Sequence, residues 1–371
     1  MSDIPFFNYP ALYKRFETDF DRIFKAVCSK GAFILQQELE QFEQNLASFL
    51  NTKHAFGVAD GTNAMVIGLQ AAGIKAGDEI IITSHTYIAT AAAINMVGAV
   101  PIFADIGDDY MMSPISVSKK ITSKTKAIMP TQLNGRCCDM DQLQTIADQH
   151  GLQIFEDSAQ GLGAKYKGRS AGTFGTFGTL SFYPAKVMGC FGDGGAVMTN
   201  DPEIAEKLLL LRDHGRDPEG EVVAWGTNSR LDNLQAAFLD FLLTHYHTDM
   251  ARRREIAGKY EVAFRPHAML HPPKGPDNGD HFDIYQNYEL AVENRDELKQ
   301  HLENNGIRSI VQWNGTPVHH FDSLGFGKEK FIDLPKTDWF FERCLMLPMN
   351  MSITDAEVDR VISTILNFYD K

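Results

Sequence analysis

One lysine interrupts an apolar, glycine-turned stretch, LSFYPAKVMGCFGDGGAVMTND, running from Leu180 to Asp201. The stretch reads as a buried strand, a glycine turn and a second buried strand, with Lys186 in its middle, Ser181 before it and Asp193 after it. A lysine in such a place either carries its ammonium out to water along a packed stem or supplies an amine to a desolvated pocket, where the neutral, nucleophilic form is favoured. Three other segments bear on that choice. In IFEDSAQ a strand ends on Glu156 and Asp157, with Gln160 three residues on; a carboxylate here can pair with a ring nitrogen and an amide with a ring oxygen. ADGTNAM turns at Gly61 and opens a helix at Thr62 and Asn63, whose free N–H groups make an anion cup. SHTYIAT places Tyr87 at a helix start, offering a flat face to another ring. An amine for an aldehyde, an acid for a pyridinium nitrogen, a phosphate cup and an aromatic face are what a phosphorylated pyridine cofactor requires. Lys186, Asp157, Gly61-Thr62 and Tyr87 supply those four, and Ser181 adds a hydroxyl for the phosphate.

These residues converge only if the elements beneath them share one edge. Strand-like runs at 54–60, 78–83, 100–106, 125–132 and 152–157 alternate with helix-like runs at 62–73, 86–98 and 139–151. Short apolar strands alternating with helices predict a mostly parallel sheet covered on both faces, with ligands outside the carboxyl ends of the strands. Asp139 and Asp201 read as helix N-caps, Pro202 as a first helical residue, and Gly151 and Gly215 as helix stops. A long helix is expected over about 230–264 and a proline/glycine linker over 271–280. Beyond it, strands within 283–293 and 307–313, a helix at 296–306 and a capping box at Thr354–Glu357 predict a small α+β unit. The expected division is a large α/β domain, 1–264, with an N-terminal helical segment and the long linking helix, and a small C-terminal domain, 265–371.

Bulk properties remove several function classes. The 371 residues are 44% hydrophobic and 22% charged, with 48 acids against 35 Lys and Arg and a net charge of −13. Such a surface repels nucleic acid and anionic membranes, so neither partner is expected. Five cysteines without zinc spacing fit a reducing compartment, and no metal site is expected. The acid-bearing N-terminus and the absence of a long apolar run predict a cytoplasmic protein. GLGAKYKG fails as a dinucleotide fingerprint at Tyr166, and ADGTNAM lacks the lysine of a P-loop.

ADGTNAM, EDSAQGLGAKYKG, SFYPAKVMGCFGDGGAVMTND and GTNSRLDNLQAAFL together resemble the DegT/DnrJ/EryC1/StrS sugar aminotransferases over nearly the whole chain. The resemblance implies an aspartate-aminotransferase-like fold type I, with a mostly parallel seven-stranded sheet, and pyridoxal 5′-phosphate as cofactor. It implies that Lys186 carries the cofactor, Asp157 pairs with the pyridinium, Gln160 lies near the phenolic oxygen, Ser181 binds phosphate and Tyr87 stacks on the ring. Asn228, in the G-x-N-x-R-L-D motif, is expected to reach the phosphate of a neighbouring subunit, making a homodimer with shared active sites, and Arg230 to lie near that interface. A dehydratase branch of the family carries histidine at the lysine position, so Lys186 favours transamination from L-glutamate to a nucleotide-linked keto-sugar. Family frequency suggests C4 of a 4-keto-6-deoxy sugar, UDP- or dTDP-linked, feeding a surface glycan such as an O-antigen; C3 is the alternative. VQWNGTPVHHF departs from the usual H-Y-P-x-P-x-H pattern, leaving Trp313 and His319 as expected sugar-facing residues. Arg308, Arg136 and Lys330 are candidate diphosphate cations. Two competing readings are a desulfurase using Cys137 or Cys138, and a regulatory protein that keeps the fold without the chemistry.

Overall fold

A computed structural model describes residues 3–273 and 279–370. The central part of the expected linker, 274–278, lies outside the described residues.

Seven strands form one sheet: β1 (His54–Val58), β2 (Glu79–Thr83), β3 (Val100–Ala104), β4 (Thr125–Ile128), β5 (Gln153–Asp157), β6 (Phe177–Ser181) and β7 (Gly195–Thr199). Their order is β1-β7-β6-β5-β4-β2-β3, and β7 alone runs antiparallel to its neighbours. The six co-directional strands therefore deliver their carboxyl ends to one edge. Nearly every residue of these strands is buried, because helices cover both faces. One face packs against α2 (Glu17–Lys30), α3 (Gln37–Leu50), α7 (Met140–His150) and the first half of α9 (Asn233–Phe264), through residues such as Phe20, Phe42, Leu143 and Phe238. The other packs against α4 (Gly61–Ala71), α5 (Ile88–Met96) and α8 (Pro202–Arg212), through Ile67, Ile94 and Leu208.

The expected caps are present. The side chains of Asp139 and Asp201 accept from backbone N–H groups of α7 and α8, and Gly151 takes the left-handed conformation after α7. In the Lys186 stretch, β6 and β7 pair antiparallel with Ser181 opposite Gly195. Residues 182–194 between them form an irregular loop, so Lys186 stands at the sheet edge and not inside a strand. Gly195 is required there: a Cβ on it would meet Asp60 C at 2.5 Å, so only glycine lets β7 pass the start of α4.

A second, antiparallel sheet joins β8 (Leu270–His271), β9 (Tyr288–Val292) and β10 (Cys344–Leu347) in that order. It packs with α10 (Arg295–Asn304), α12 (Asp355–Tyr369) and the end of α9, where Ile256, Tyr260 and Phe264 join its core. The N-terminal segment also belongs to this core: Ile4 is 1% exposed and bridges Ile307. The strand expected at 307–313 does not form as one element. Ile307 and Ile310 make isolated bridges, and Gln312–Gly315 turns back as a 3₁₀ segment with Trp313 (φ 46°) and Asn314 (φ 57°) left-handed. Asn-Gly in WNG is turn chemistry, and it overrides the β-branched pattern before it.

Candidate active site

The carboxyl edge of the large sheet, roofed by the small sheet, encloses a cavity of about 560 Å³. Gly61, Thr62, Tyr87, Asp157, Gln160, Ser181, Lys186 and Trp313 all line it, so eight of the expected residues meet in one place.

Asp157 ends β5 and is 4% exposed. Its Oδ2 accepts from Thr90 Oγ1 at 2.6 Å and its Oδ1 from the Ala159 N–H at 3.1 Å. Thr131 donates to Thr86 (2.9 Å), and Thr86 lies 2.7 Å from Thr90, so a hydroxyl chain from the segment after β4 to the first turn of α5 points a donor at the carboxylate. These bonds orient Asp157 toward the cavity. Its neighbour Glu156 faces the opposite way and is fully buried, held by Gln132 Nε2 and the N–H groups of Gly172, Phe174 and Gly175. The two acids differ in face because successive strand residues alternate.

Lys186 is half-buried on its loop, and burial lowers its pKa to about 8 against the opposing pull of Asp157. At pH 7 about a tenth of such a group is the neutral amine, against under a thousandth for an ordinary lysine. Gln286 pins this loop: its Oε1 accepts from the Val187 N–H at 2.7 Å, and its Nε2 donates to Ala185 O at 2.8 Å. Nothing in the sequence marks Gln286, because the clamp joins residues about a hundred positions apart.

The anion cup has the expected make-up at Gly61 and Thr62, whose N–H groups find no acceptor among the described residues. Asn63 is already engaged, donating through its main chain and its amide to the Asp60 carboxylate. Gly61 touches Ser181, since a Cβ on Gly61 would lie 3.0 Å from Ser181 Cβ and 3.5 Å from its Oγ. Free N–H groups beside a hydroxyl fit a phosphate monoester, with Lys186 and Asp157 placed for an aldehyde and a ring nitrogen. The Tyr87 ring is 55% exposed and lies 6.1 Å from Trp313. The site thus accommodates pyridoxal 5′-phosphate on residue chemistry alone.

The other residues considered stand outside this cavity. His319 does not reach the cavity: it is fully buried, with Nδ1 2.7 Å from Ser84 Oγ and Nε2 3.1 Å from Asp338. Burial, then His320, lowers its pKa to about 4, so the ring is neutral at pH 7. His319, His320 and Asp338 offer ligand atoms within 4.8 Å of one another, but they already hydrogen-bond among themselves. Asn228, expected to reach a neighbouring subunit's phosphate, stands exposed and bridges Asp213, with which Arg230 pairs at 2.8 Å; neither lines this chain's own cavity. Of the candidate diphosphate cations, Arg136 is buried against Asp283, Lys330 reaches Gly325 O, and Arg308 lines no part of the cavity. Cys137 and Cys138 are fully buried and burial raises both thiols, which removes them as desulfurase nucleophiles.

Sequence reasoning also missed Phe7, Tyr183, Asn287, Gln312 and Met346 in the cavity wall. Phe7 and Met346 come from distant segments, and Gln312 is buried with both amide atoms unpartnered. Among the lining residues Lys186 is the one cation, beside Asp60, Asp157 and Asp193.

A mostly parallel seven-stranded sheet with a lysine and a carboxylate converging at its carboxyl edge, under a small α+β roof, defines an aminotransferase of the aspartate-aminotransferase-like fold. The chain belongs to the DegT/DnrJ/EryC1/StrS aminotransferase family, whose model matches residues 15–366. It is 37% identical over 371 residues to the dTDP-3-amino-3,4,6-trideoxy-α-D-glucose transaminase of Streptomyces venezuelae, covering 99% of this chain and 97% of that one. It is 35% identical over 373 residues to a pleiotropic regulatory protein of Geobacillus stearothermophilus, covering 99% of each. The crystal structure of S. venezuelae DesV in complex with a ketimine intermediate superposes with a TM-score of 0.95 at 36% identity, covering 100% of both chains. Among the described residues no helix is long and apolar enough to cross a membrane.

Proposed function

We propose that the protein is a pyridoxal-phosphate-dependent aminotransferase that moves an amino group from L-glutamate to a nucleotide-linked keto-sugar. The observation that carries this reading is the Lys186 amine, with its lowered pKa, sharing a cavity with Asp157 and the free N–H groups of Gly61 and Thr62. When bound, pyridoxal 5′-phosphate supplies an electron sink and a temporary seat for the nitrogen. Lys186 Nζ would hold the cofactor through its aldehyde carbon and, once free, would serve as the base that takes the donor's α-proton and the acid that supplies one to the sugar carbon receiving nitrogen. Asp157, oriented by Thr90, would keep the ring nitrogen protonated. Gly61, Thr62 and Ser181 would hold the phosphate, Tyr87 would offer its ring face, and the Gln160 amide would serve the phenolic oxygen.

Relatives named for 3-amino or 3-oxo sugars support C3 as the aminated carbon, ahead of the C4 that family frequency suggested. The 4-keto sugar remains the second arm of the assay. L-Glutamate as donor is carried over from the family resemblance.

The proposed working form is a homodimer. The loop before Asn228 exposes Val222 (68%), Val223 (59%) and Trp225 (98%), an apolar cluster that a second copy would cover. The cavity lining supplies one cation where two anionic substrates must bind, so cations from a second copy would complete it.

The test begins with purified protein and added cofactor, followed by visible absorbance. L-Glutamate should shift the spectrum, and a nucleotide-linked 3-keto-6-deoxyhexose should restore it, faster than its 4-keto isomer. A protein that stays colourless with cofactor, or a glutamate-shifted spectrum that no nucleotide keto-sugar restores, would falsify the reading.

A further inference from the structure

Glu289, on β9 of the small sheet, is 4% exposed, and no step above uses it. Its Oε2 receives the Asn134 amide Nδ2–H at 2.6 Å and faces His85 Nε2 at 3.2 Å. Asn134 is held left-handed (φ 54°) at the end of the strand-to-helix connection, between the two sheets. Its other amide atom, Oδ1, accepts from Asn287 Nδ2 at 2.8 Å, and its main-chain N–H donates to Gln160 Oε1 at 2.9 Å. Asn287 and Gln160 both line the cavity.

This chain of bonds has a direction. His85 Nδ1 lies 2.9 Å from the Tyr110 carbonyl, which only accepts, so Nδ1 carries a proton. A carboxyl oxygen has lone pairs enough for two neighbours, so beside His85 Nε2 the Glu289 Oε2 still accepts from Asn134, whose Nδ2 must point at it. The Asn134 carbonyl is thereby turned toward Asn287. Asn287 must answer with its Nδ2, which leaves its own Oδ1 without a partner among the described residues, on a residue that lines the cavity. Amide groups are two-faced, and only a network that ends on a group of fixed polarity decides which face is shown. A carboxylate is such an end.

We propose that Glu289 is a positioning residue that sets the polarity of the substrate wall: through Asn134 it makes Asn287 present a carbonyl acceptor, which receives a hydroxyl of the keto-sugar. The inference rests on the sugar reading above and adds one substrate-contacting group, Asn287 Oδ1, and its controller. The contact suits a hydroxyl or amine donor and disfavours a carboxylate, so it acts on the sugar and not on glutamate. Glutamate brings two carboxylates, which an open carbonyl oxygen repels.

Three variants test it in the holoenzyme: Glu289→Gln, Asn287→Leu and the double variant. Each half-reaction is followed separately, with L-glutamate and then with the dTDP-linked 3-keto-6-deoxyhexose. Glutamine at 289 can place N–H where Oε2 stood, which turns Asn134 and Asn287 over and offers the sugar a donor in place of an acceptor. Each single variant should lower kcat/KM for the keto-sugar about tenfold to a hundredfold, mainly through KM, while the glutamate half-reaction changes by less than about threefold. Because both act on one oxygen, Glu289→Gln should have little further effect in the Asn287→Leu background. A purely structural Glu289 would lower thermal stability and both half-reactions alike, with additive effects in the double variant, and that pattern overturns the proposal. So does an unchanged kcat/KM for the keto-sugar in Glu289→Gln. If the parent restores its spectrum with no nucleotide keto-sugar at all, the functional reading fails first and this one falls with it.

Discussion

The two walls of the cavity are built differently. The cofactor wall stands on strand ends. Asp157 terminates β5, Ser181 terminates β6, and Gly61 opens α4 directly after β1, so each side chain inherits its position from a ladder of backbone hydrogen bonds. Its polar groups are satisfied in sequence, from Thr131 through Thr86 and Thr90 to Asp157. The opposite wall is loop. Trp313 and Asn314 sit in left-handed backbone, the Gln312 amide has no partner, and His319, expected at the sugar, is withdrawn to Ser84. Strained backbone and an unpaired buried amide cost stability, and they persist where a site must be shaped for a ligand. A cofactor that never changes can be met by a rigid sheet edge. A substrate that differs between relatives is met by irregular segments that tolerate substitution.

If that contrast holds, damage to the first wall should abolish chemistry, and damage to the second should change only which acceptor is used. Replacing Lys186 with Ala should remove covalent attachment of the cofactor, seen as loss of the visible band and of the cofactor's mass on the intact protein, and lower turnover by about 10³-fold or more. Asp157→Ala should leave the lysine modified but lower both half-reactions, by about 10²-fold, because the protonated ring loses its partner. Trp225→Asp should break the proposed dimer, read by analytical ultracentrifugation, and lower activity in step with the monomer fraction; a fully active monomer sinks the shared-site arrangement. Trp313→Ala should weaken the keto-sugar half-reaction by roughly tenfold with the glutamate half-reaction intact. Equal loss in both would mean that the loop wall serves the cofactor as well, and the contrast would fail.

The smallest expected effect concerns stability. In the cofactor-free protein the folded Lys186 has a pKa of about 8, below the 10.5 of an ordinary lysine, so the native state binds fewer protons than the unfolded state between those values. Stability from this group therefore rises with pH from about 8 to about 10.5, and the penalty is fully present below 8. Lys186→Met should raise the melting temperature of the cofactor-free protein at pH 7 by a few degrees, with the gain vanishing above about pH 10. A gain that is flat with pH would show that Lys186 is well solvated at rest.

How far the sequence reached follows the same division. Alternating strands and helices and caps at Asp139 and Asp201 are local signals, and they sufficed for the sheet and its ligand edge. Asp157, Ser181, Gly61 and Tyr87 each sit at a strand end or the helix start that follows, where a short segment determines where a side chain stands, and Lys186 follows Ser181 on the loop after β6. The 307–313 strand failed because the Asn314-Gly315 turn interrupts it and because Ile307 and Ile310 bridge partners far away in the chain, Ile4 and Met346.

Residue type and local spacing determined the chemistry: an amine, an acid, an anion cup and an aromatic face at the carboxyl edge of a parallel sheet. Only the tertiary structure decided the lock on the lysine loop by Gln286, the withdrawal of His319, and the Glu289–Asn134–Asn287 chain, in which Asn134 lies about 150 residues from the other two. The reason is physical. A hydrogen bond within a turn or strand end is written into neighbouring residues, whereas the polarity of an amide in a cavity wall depends on which distant carboxylate the fold sets behind it.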